Sequence, residues 1–303
     1  MQVKVEKLPK STIKLTVTVP NEKVKEAYEA VLEDAVSKTE ITGFRKGNAP
    51  KDMVRDKVGV STLYGEVINN LLQIFYPQAV KENHIAAIAN PKVEIKEFDI
   101  DKDFEFVATS ALRPEIKMGD FKKELQKTYD EMKKDRKTKN EEAIKKGEKI
   151  DESHIHLTTN HIIDAMLKTC ELEVPELIVE EETERIMSRL VDQAESIGLS
   201  LDQYLKAQNK TTEELKKEYG IAAERNVKAE FILSEAIKDA DIKVEESEII
   251  DTVKASGVTD AEERMKDPME YYYVKSILQK NKLITKLLEE IEGEDFHSHN
   301  HDH

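Results

Sequence analysis

The N-terminal residues of the chain alternate between apolar and polar positions in two runs. The apolar positions are Val3 and Val5 in the first run, then Ile13, Leu15, Val17 and Val19 in the second, with LPKST between them. A period of two is typical of strands that bury one face. The pattern therefore predicts two antiparallel strands.

Beyond these strands, apolar positions recur every three or four residues. Pro20 and Asn21 start one such stretch, which we expect to stay helical until near Gly43, and a second covers about residues 63–75. After Pro91 the alternation returns in KVEI and FEFVA, which predicts two further strands. Strands at both ends with helices between them predict an α+β domain over residues 1–112.

Residues 113–156 differ in composition from the segments on either side. The stretch RPEIKMGDF contains Pro114 and Gly119 and is typical of a connector. Residues 122–150 are rich in Lys and Glu and poor in large apolar side chains. A solvated helix, a helical extension and a disordered linker are all compatible with that composition.

From Leu157 onward, nearly every pattern is helical. Pro175 suits the first turn of a helix, and Ser200 and Thr212 are candidate N-caps. A last helix is predicted in DPMEYYYVKSILQKNKLITKLLEEIEG, with one apolar face formed by Val274, Ile277, Leu278, Ile284, Leu287, Leu288 and Ile291. Narrow apolar stripes favour an elongated all-α domain over residues 157–293, followed by a flexible His-rich tail at 294–303.

Charge sharpens this division of the chain. Charged residues make up 36% of the sequence and the net charge is −15, but residues 1–110 are nearly neutral and the acidity lies in the C-terminal half. Non-specific binding of the whole chain to nucleic acid is therefore not expected. Within the neutral part, residues 43–57 form a local basic patch that contains Arg45, Lys46, Lys51, Arg55 and Lys57.

The sequence contains no recognisable catalytic, phosphate-binding or dinucleotide-binding motif. His154, His156 and His161 lie near Asp151 and Glu152, but their spacing is that of no familiar metal site, so we interpret them as polar residues at a helix start. The alternating histidines of the tail would bind transition metals only incidentally. We expect neither a metal site nor a cofactor.

Compartment and membrane contact are also constrained by composition. The first residues lack an apolar signal core, and no run approaches about 18 apolar residues, so we expect a cytoplasmic protein without a membrane partner. The single cysteine, Cys170, cannot form an intramolecular disulfide and lies in the apolar stretch IIDAMLKTC, where a buried thiol is expected.

Two features suggest contact with a partner. Three consecutive tyrosines at 271–273 point in different directions on a helix, so at least one is expected to be exposed. The stretch GFRKGNAP, at 43–50, places Phe44 beside two cations and between two glycines. From the residues alone, Phe44 is either an anchor that fills a partner's pocket or a plug that folds back into the core.

The same stretch resembles the G-F-R-x-G-x-x-P signature of trigger factor, the bacterial family of ribosome-associated chaperones. The order of strands and helices over residues 1–112, the exit ALRPEIKMGDF and the stretch LEVPELIVEEETERIMSRL resemble that family in the same sequence order. The resemblance implies an N-terminal domain that binds the large ribosomal subunit beside the tunnel exit, and a helical domain whose two arms cradle nascent chains. It implies the following docking residues: Gly43, Phe44, Arg45, Lys46, Gly47 and Pro50.

Members of that family usually carry a prolyl isomerase domain between these two parts. Here the interval 118–157 is short and contains Phe121 and Tyr129 as its only aromatic residues, which is too little for an aromatic-lined pocket. We therefore expect an ATP-independent chaperone without isomerase activity, with a homodimer off the ribosome as a further possibility. The alternatives are a retained isomerase and a holding or assembly factor that acts off the ribosome.

Overall fold

The computed structural model describes residues 1–150 and 154–293, and the chain divides into two compact units. The sheet unit contains Met1–Glu115 together with Glu173–Glu184. The helical unit contains Ile116–Leu172 and the chain from Arg185 onward. A small antiparallel sheet followed by helices is the fold class that the sequence predicts.

The sheet has four strands, β1 (Gln2–Leu8), β2 (Thr12–Val19), β3 (Lys92–Ile95) and β4 (Phe104–Ala111). They are all antiparallel and lie in the order β1-β2-β4-β3. In the central pair, Leu15 lies opposite Ala108 and Val17 lies opposite Phe106. All four side chains are fully buried, so the predicted alternation does place one face of the sheet in the core.

Three helices cover that face, α1 (Asn21–Lys38), α2 (Lys51–Val58) and α3 (Val60–Glu82). Their fully buried positions include Val24, Val54, Leu63, Val67 and Leu71. The sequence wrongly extended α1 to Gly43. The helix ends at Lys38 because Thr39 adopts an extended backbone, and residues 39–50 form a loop instead.

The opposite face of the sheet receives a segment that the sequence assigned to the second domain. The helix α6 (Glu176–Ser196) begins in the sheet unit, where Glu176 and Glu180 line a groove with Lys92 and Thr109. The Lys10 ammonium lies 2.6 Å from the Glu176 carboxylate. The boundaries therefore differ from a simple division at residue 112 and residue 157.

The helical unit starts with the Lys/Glu-rich segment whose structure the sequence left open. Residues 121–146 form one helix, α4 (Phe121–Lys146), which Asp120 caps and which ends at Gly147 in the left-handed region. Leu125 and Tyr129 are buried in the core of the helical unit, whereas the later turns are mostly exposed. The segment is thus a helix that packs through its first turns.

The rest of that core comes from α5 (Thr159–Thr169), α8 (Thr212–Asp239) and α11 (Pro268–Glu292), with the shorter helices α7 (Leu201–Gln208), α9 (Glu246–Ala255) and α10 (Ala261–Arg264). Ser200 caps α7, as predicted. The cap of α8 is Thr211 and not Thr212, because Glu214 then stands three residues later and its carboxylate accepts a hydrogen bond of 2.9 Å from the Thr211 amide.

Two of the histidines tie helix ends in the helical unit. Nδ1 of His161 accepts a hydrogen bond from the Thr158 amide at the start of α5. Nδ1 of His156 lies 3.0 Å from the buried Glu292 carboxylate, to which the Leu157 amide also donates, at 2.6 Å. These contacts support the interpretation of the histidines as residues of a helix start.

Two further expectations concern metals and membranes. Over residues 1–150 and 154–293, no three His, Cys, Asp or Glu side chains are grouped as a metal site requires. Asp151, Glu152 and the His-rich tail lie outside the described residues. None of the helices in the described part of the chain is long and apolar enough to cross a membrane.

Candidate docking loop and exposed helix face

The segment GFRKGNAP forms two consecutive turns between α1 and α2. The Phe44 amide donates to the Ile41 carbonyl, at 3.0 Å, and the Asn48 amide donates to the Arg45 carbonyl, at 2.9 Å. Gly43 and Gly47 have φ angles of +91° and +89°, and a Cβ at either position would meet no atom within 4 Å. These glycines are thus required for the backbone conformation and not for space.

The C-terminal end of the loop is fixed to the core of the sheet unit. Ala49 is buried, and Val54, one turn into α2, is fully buried in the same cluster. Pro50 has a φ of −57°, and its carbonyl accepts from the amides of Met53 and Val54. Pro50 is therefore the N-cap of α2, and the loop turns before it are attached to the buried core at this end.

Phe44 is 42% exposed and does not belong to the buried cluster of the sheet unit. A plug would bury most of its ring, so this position fits the anchor interpretation better than the plug. The exposed ring leaves apolar surface for a partner to cover.

Three cations of the basic patch are engaged within the sheet unit. The Lys51 ammonium lies 2.6 Å from Glu29 and 3.2 Å from Glu33, and its hydrogen bonds to these two carboxylates raise the pKa of Lys51. The Lys57 ammonium donates to the Glu40 carbonyl. Lys51 and Lys57 therefore point to atoms of their own unit.

Arg55 is engaged in the same way, since its guanidinium lies 3.1 Å from Asp52 and 3.6 Å from Asp56. Arg45 and Lys46 are different. Both are exposed, and among the described residues neither makes an ion pair or a side-chain hydrogen bond. The structure thus separates the patch into three engaged cations and two available ones, and the available pair directly follows the exposed ring.

A second candidate surface lies on the first half of α11 in the helical unit. Met269 is 81% exposed, Tyr272 66%, Tyr273 67% and Ile277 39%. Their spacing of three, four and eight residues from Met269 places them on one side of the helix. The prediction that at least one tyrosine is exposed is confirmed.

The buried residues of α11 coincide only in part with the apolar face that the sequence pattern predicts. Ile277, which belongs to that apolar face, is on the exposed stripe. Leu283 and Leu287 are each only 2% exposed, so the tightest packing lies in the C-terminal half of the helix. In the first half, Val274 and Leu278 are half-buried, whereas Met269 and Ile277 are exposed.

Comparisons with known proteins identify the family. A model described as bacterial trigger factor protein (TF) matches residues 1–146, and one described as bacterial trigger factor protein (TF) C-terminus matches residues 117–294. The second match alone covers more than half of the sequence. The chain belongs to the trigger factor family.

Individual relatives agree with part of the chain. Trigger factors of Staphylococcus epidermidis and Staphylococcus aureus are 39% and 40% identical to the chain over 108 residues. Each match covers 36% of this chain but only 25% of the relative, so the matched part is about a quarter of these relatives' length.

A solved structure shows the same fold over nearly the whole chain. It is described as "Promiscuous Substrate Recognition in Folding and Assembly Activities of the Trigger Factor Chaperone" and superposes with a TM-score of 0.61. The superposition covers 96% of this chain and 100% of that chain, at 14% sequence identity.

Proposed function

We propose that this protein is an ATP-independent chaperone that docks on the large ribosomal subunit at the tunnel exit and shields nascent chains. The observation that carries the proposal is the loop at 43–50, where an exposed Phe44 precedes two cations that are not engaged within the protein. Membership of the trigger factor family supplies the kind of partner. Docking takes place in the cytoplasm and requires no cofactor.

The chemistry of the loop suits a ribosomal surface, which combines protein pockets with RNA phosphates. Phe44 fills an apolar pocket of the ribosomal protein. Arg45 pairs with phosphate or carboxylate through its planar guanidinium, and Lys46 adds a second positive charge. A contact made by three side chains and partly electrostatic in nature is dynamic, and its affinity falls as the salt concentration is raised.

The exposed stripe on α11 is our candidate for client contact. Unfolded chains expose apolar side chains of many shapes, and a flat stripe of Met and Tyr adapts to them better than a deep pocket does. The net charge of −15 keeps the chaperone and its bound client in solution.

We infer further that the protein acts without prolyl isomerase activity. The chain passes from β4, which ends at Ala111, to α4, which starts at Phe121, within a few residues. The two family matches overlap over 117–146 and so leave no interval between them. A proline-limited refolding assay tests this inference, and clear catalysis at substoichiometric protein would overturn it.

Ribosome co-sedimentation at near-physiological salt tests the docking proposal. A variant with Phe44→Ala, Arg45→Ala and Lys46→Ala is expected to lose most of its binding. The matched control carries Lys4→Ala, Val5→Ala and Lys7→Ala, which removes two exposed cations and one half-exposed apolar side chain from β1.

The control is expected to bind as the unaltered protein does. Equal binding by the loop variant and the unaltered protein would refute docking through this loop. If neither the loop variant nor the unaltered protein sediments with ribosomes and both protect clients in solution, the protein is a holding or assembly factor that acts off the ribosome.

A further inference from the structure

The two ends of the docking loop are joined by one side chain. Lys57 lies in the last turn of α2, and its ammonium donates to the main-chain carbonyl of Glu40. Glu40 immediately precedes Ile41, whose carbonyl accepts the first hydrogen bond of the loop. The Lys57 contact therefore closes the segment that contains both turns.

The N-terminal end of the loop is held by fewer buried contacts than the C-terminal end. The C-terminal end is fixed by buried Ala49 and by the start of α2. On the N-terminal side, α1 has already ended, and the described contacts include the bond from the Thr39 amide to the Ala35 carbonyl, the partly buried Ile41 and the Lys57 bond to Glu40. Gly43 and Gly47 give the intervening backbone more freedom than other residues would.

The charge of Lys57 is used within the protein. Among the described residues the Lys57 ammonium contacts a main-chain carbonyl and no carboxylate, and its neighbour Asp56 lies 3.6 Å from Arg55. A charged donor makes a stronger hydrogen bond to a carbonyl than a neutral donor does.

We propose that Lys57 is a positioning residue of the docking loop, which holds Glu40 so that Phe44, Arg45 and Lys46 are presented in one arrangement to the partner. This inference rests on the proposed docking function. A loop that is already arranged loses less conformational freedom on binding, and the affinity is correspondingly higher.

Hydrogen exchange in the free protein tests the positioning without any ribosome. The amides of Phe44 and Asn48 report on the loop because each donates to a loop carbonyl. Lys57→Met keeps the aliphatic part of the side chain and removes the donor, and it is expected to speed exchange at these two amides about fivefold. Core amides of α3 are expected to stay unchanged.

Two variants serve as controls for this measurement. Lys57→Arg retains a donor that can reach the carbonyl and is expected to restore slow exchange. Lys38→Met removes one positive charge from the last residue of α1, where Lys38 pairs with Asp34, and is expected to leave the loop amides unaffected. Unchanged exchange in Lys57→Met would overturn the proposal.

A double-mutant cycle then separates positioning from direct contact with the ribosome. Lys57→Met is expected to weaken ribosome binding about fivefold in the unaltered protein and clearly less in the Phe44→Ala background, because both changes act on one loop. Fully additive losses would mean that Lys57 touches the partner itself, and would overturn the proposal. If the docking proposal is wrong, the loop triple variant will bind ribosomes as the unaltered protein does. The hydrogen-exchange rates in the free protein test the role of Lys57 independently of that result.

Discussion

Replacing Phe44 by alanine isolates the apolar part of the docking contact. Phe44 is 42% exposed, so of the roughly 200 Å² that a Phe can bury, about 80 Å² is still available to a partner. At about 25 cal/mol per Å², covering that surface contributes about 2 kcal/mol, which corresponds to about a 30-fold change in Kd. Because ordering the Phe44 side chain on binding has an entropic cost that alanine does not have, we expect a loss between about tenfold and 30-fold.

The assay is ribosome affinity measured at several salt concentrations. Phe44→Ala is expected to lower the affinity equally at each concentration, because it removes no charge. Arg45→Ala is expected to lower the dependence of the logarithm of affinity on the logarithm of salt by about one if its guanidinium meets a phosphate. The two variants should therefore differ in the salt dependence of the ribosome affinity as well as in the size of the affinity loss.

Met53 provides the matched control for the apolar term. It is 48% exposed on α2 and lies outside the two turns of the loop. Met53→Ala removes a comparable exposed surface and is expected to change the affinity by less than about twofold. An effect of Phe44→Ala no larger than that of Met53→Ala would refute the reasoning.

Two further predictions concern the helical unit, and the first of them has a control on α3 of the sheet unit. A Cβ on Gly119 would lie 2.0 Å from the Thr169 carbonyl oxygen, so Gly119→Ala should destabilise the protein by about 1–3 kcal/mol in chemical denaturation. Gly65→Ala, in an open position on α3, should instead stabilise it by up to about 1 kcal/mol, and equal shifts for both would contradict the packing argument. Replacing Tyr272 and Tyr273 by serine should weaken the suppression of client aggregation and leave ribosome binding intact; undiminished suppression would exclude the α11 stripe as a client surface.

Local patterns in the sequence predicted the elements of both units well. The alternating apolar side chains of β2 and β4 face a single core. Because successive side chains of a strand point to opposite faces, this alternation fixes which face is buried. Capping positions were predictable where one residue supplied the signal, as at Ser200. At TTEEL two threonines compete, and only the distance to Glu214 decides that Thr211 is the cap.

Assignment of segments to units depended on contacts that no local pattern contains. The helix α6 reads as one amphipathic element, yet its first turns belong to the sheet unit and the remainder to the helical unit. Likewise, the Lys/Glu-rich composition of α4 conceals Leu125 and Tyr129, which are enough to fix its first turns in a core. Long-range packing overrode composition in both cases.

The docking loop shows why the residues of a contact site cannot be chosen from charge alone. Five cations cluster between residues 43 and 57, and charge alone gives no reason to distinguish them, although the resemblance to the family signature singles out Arg45 and Lys46. The fold does, because α1 presents Glu29 and Glu33 to Lys51, and the chain after α1 presents a carbonyl to Lys57. The cations nearest the base of the loop are thereby engaged within the protein, and the two at its tip are the ones that our proposal assigns to the partner. On this view, charge removal at the base should change how the loop is arranged, whereas charge removal at the tip should change how strongly it binds.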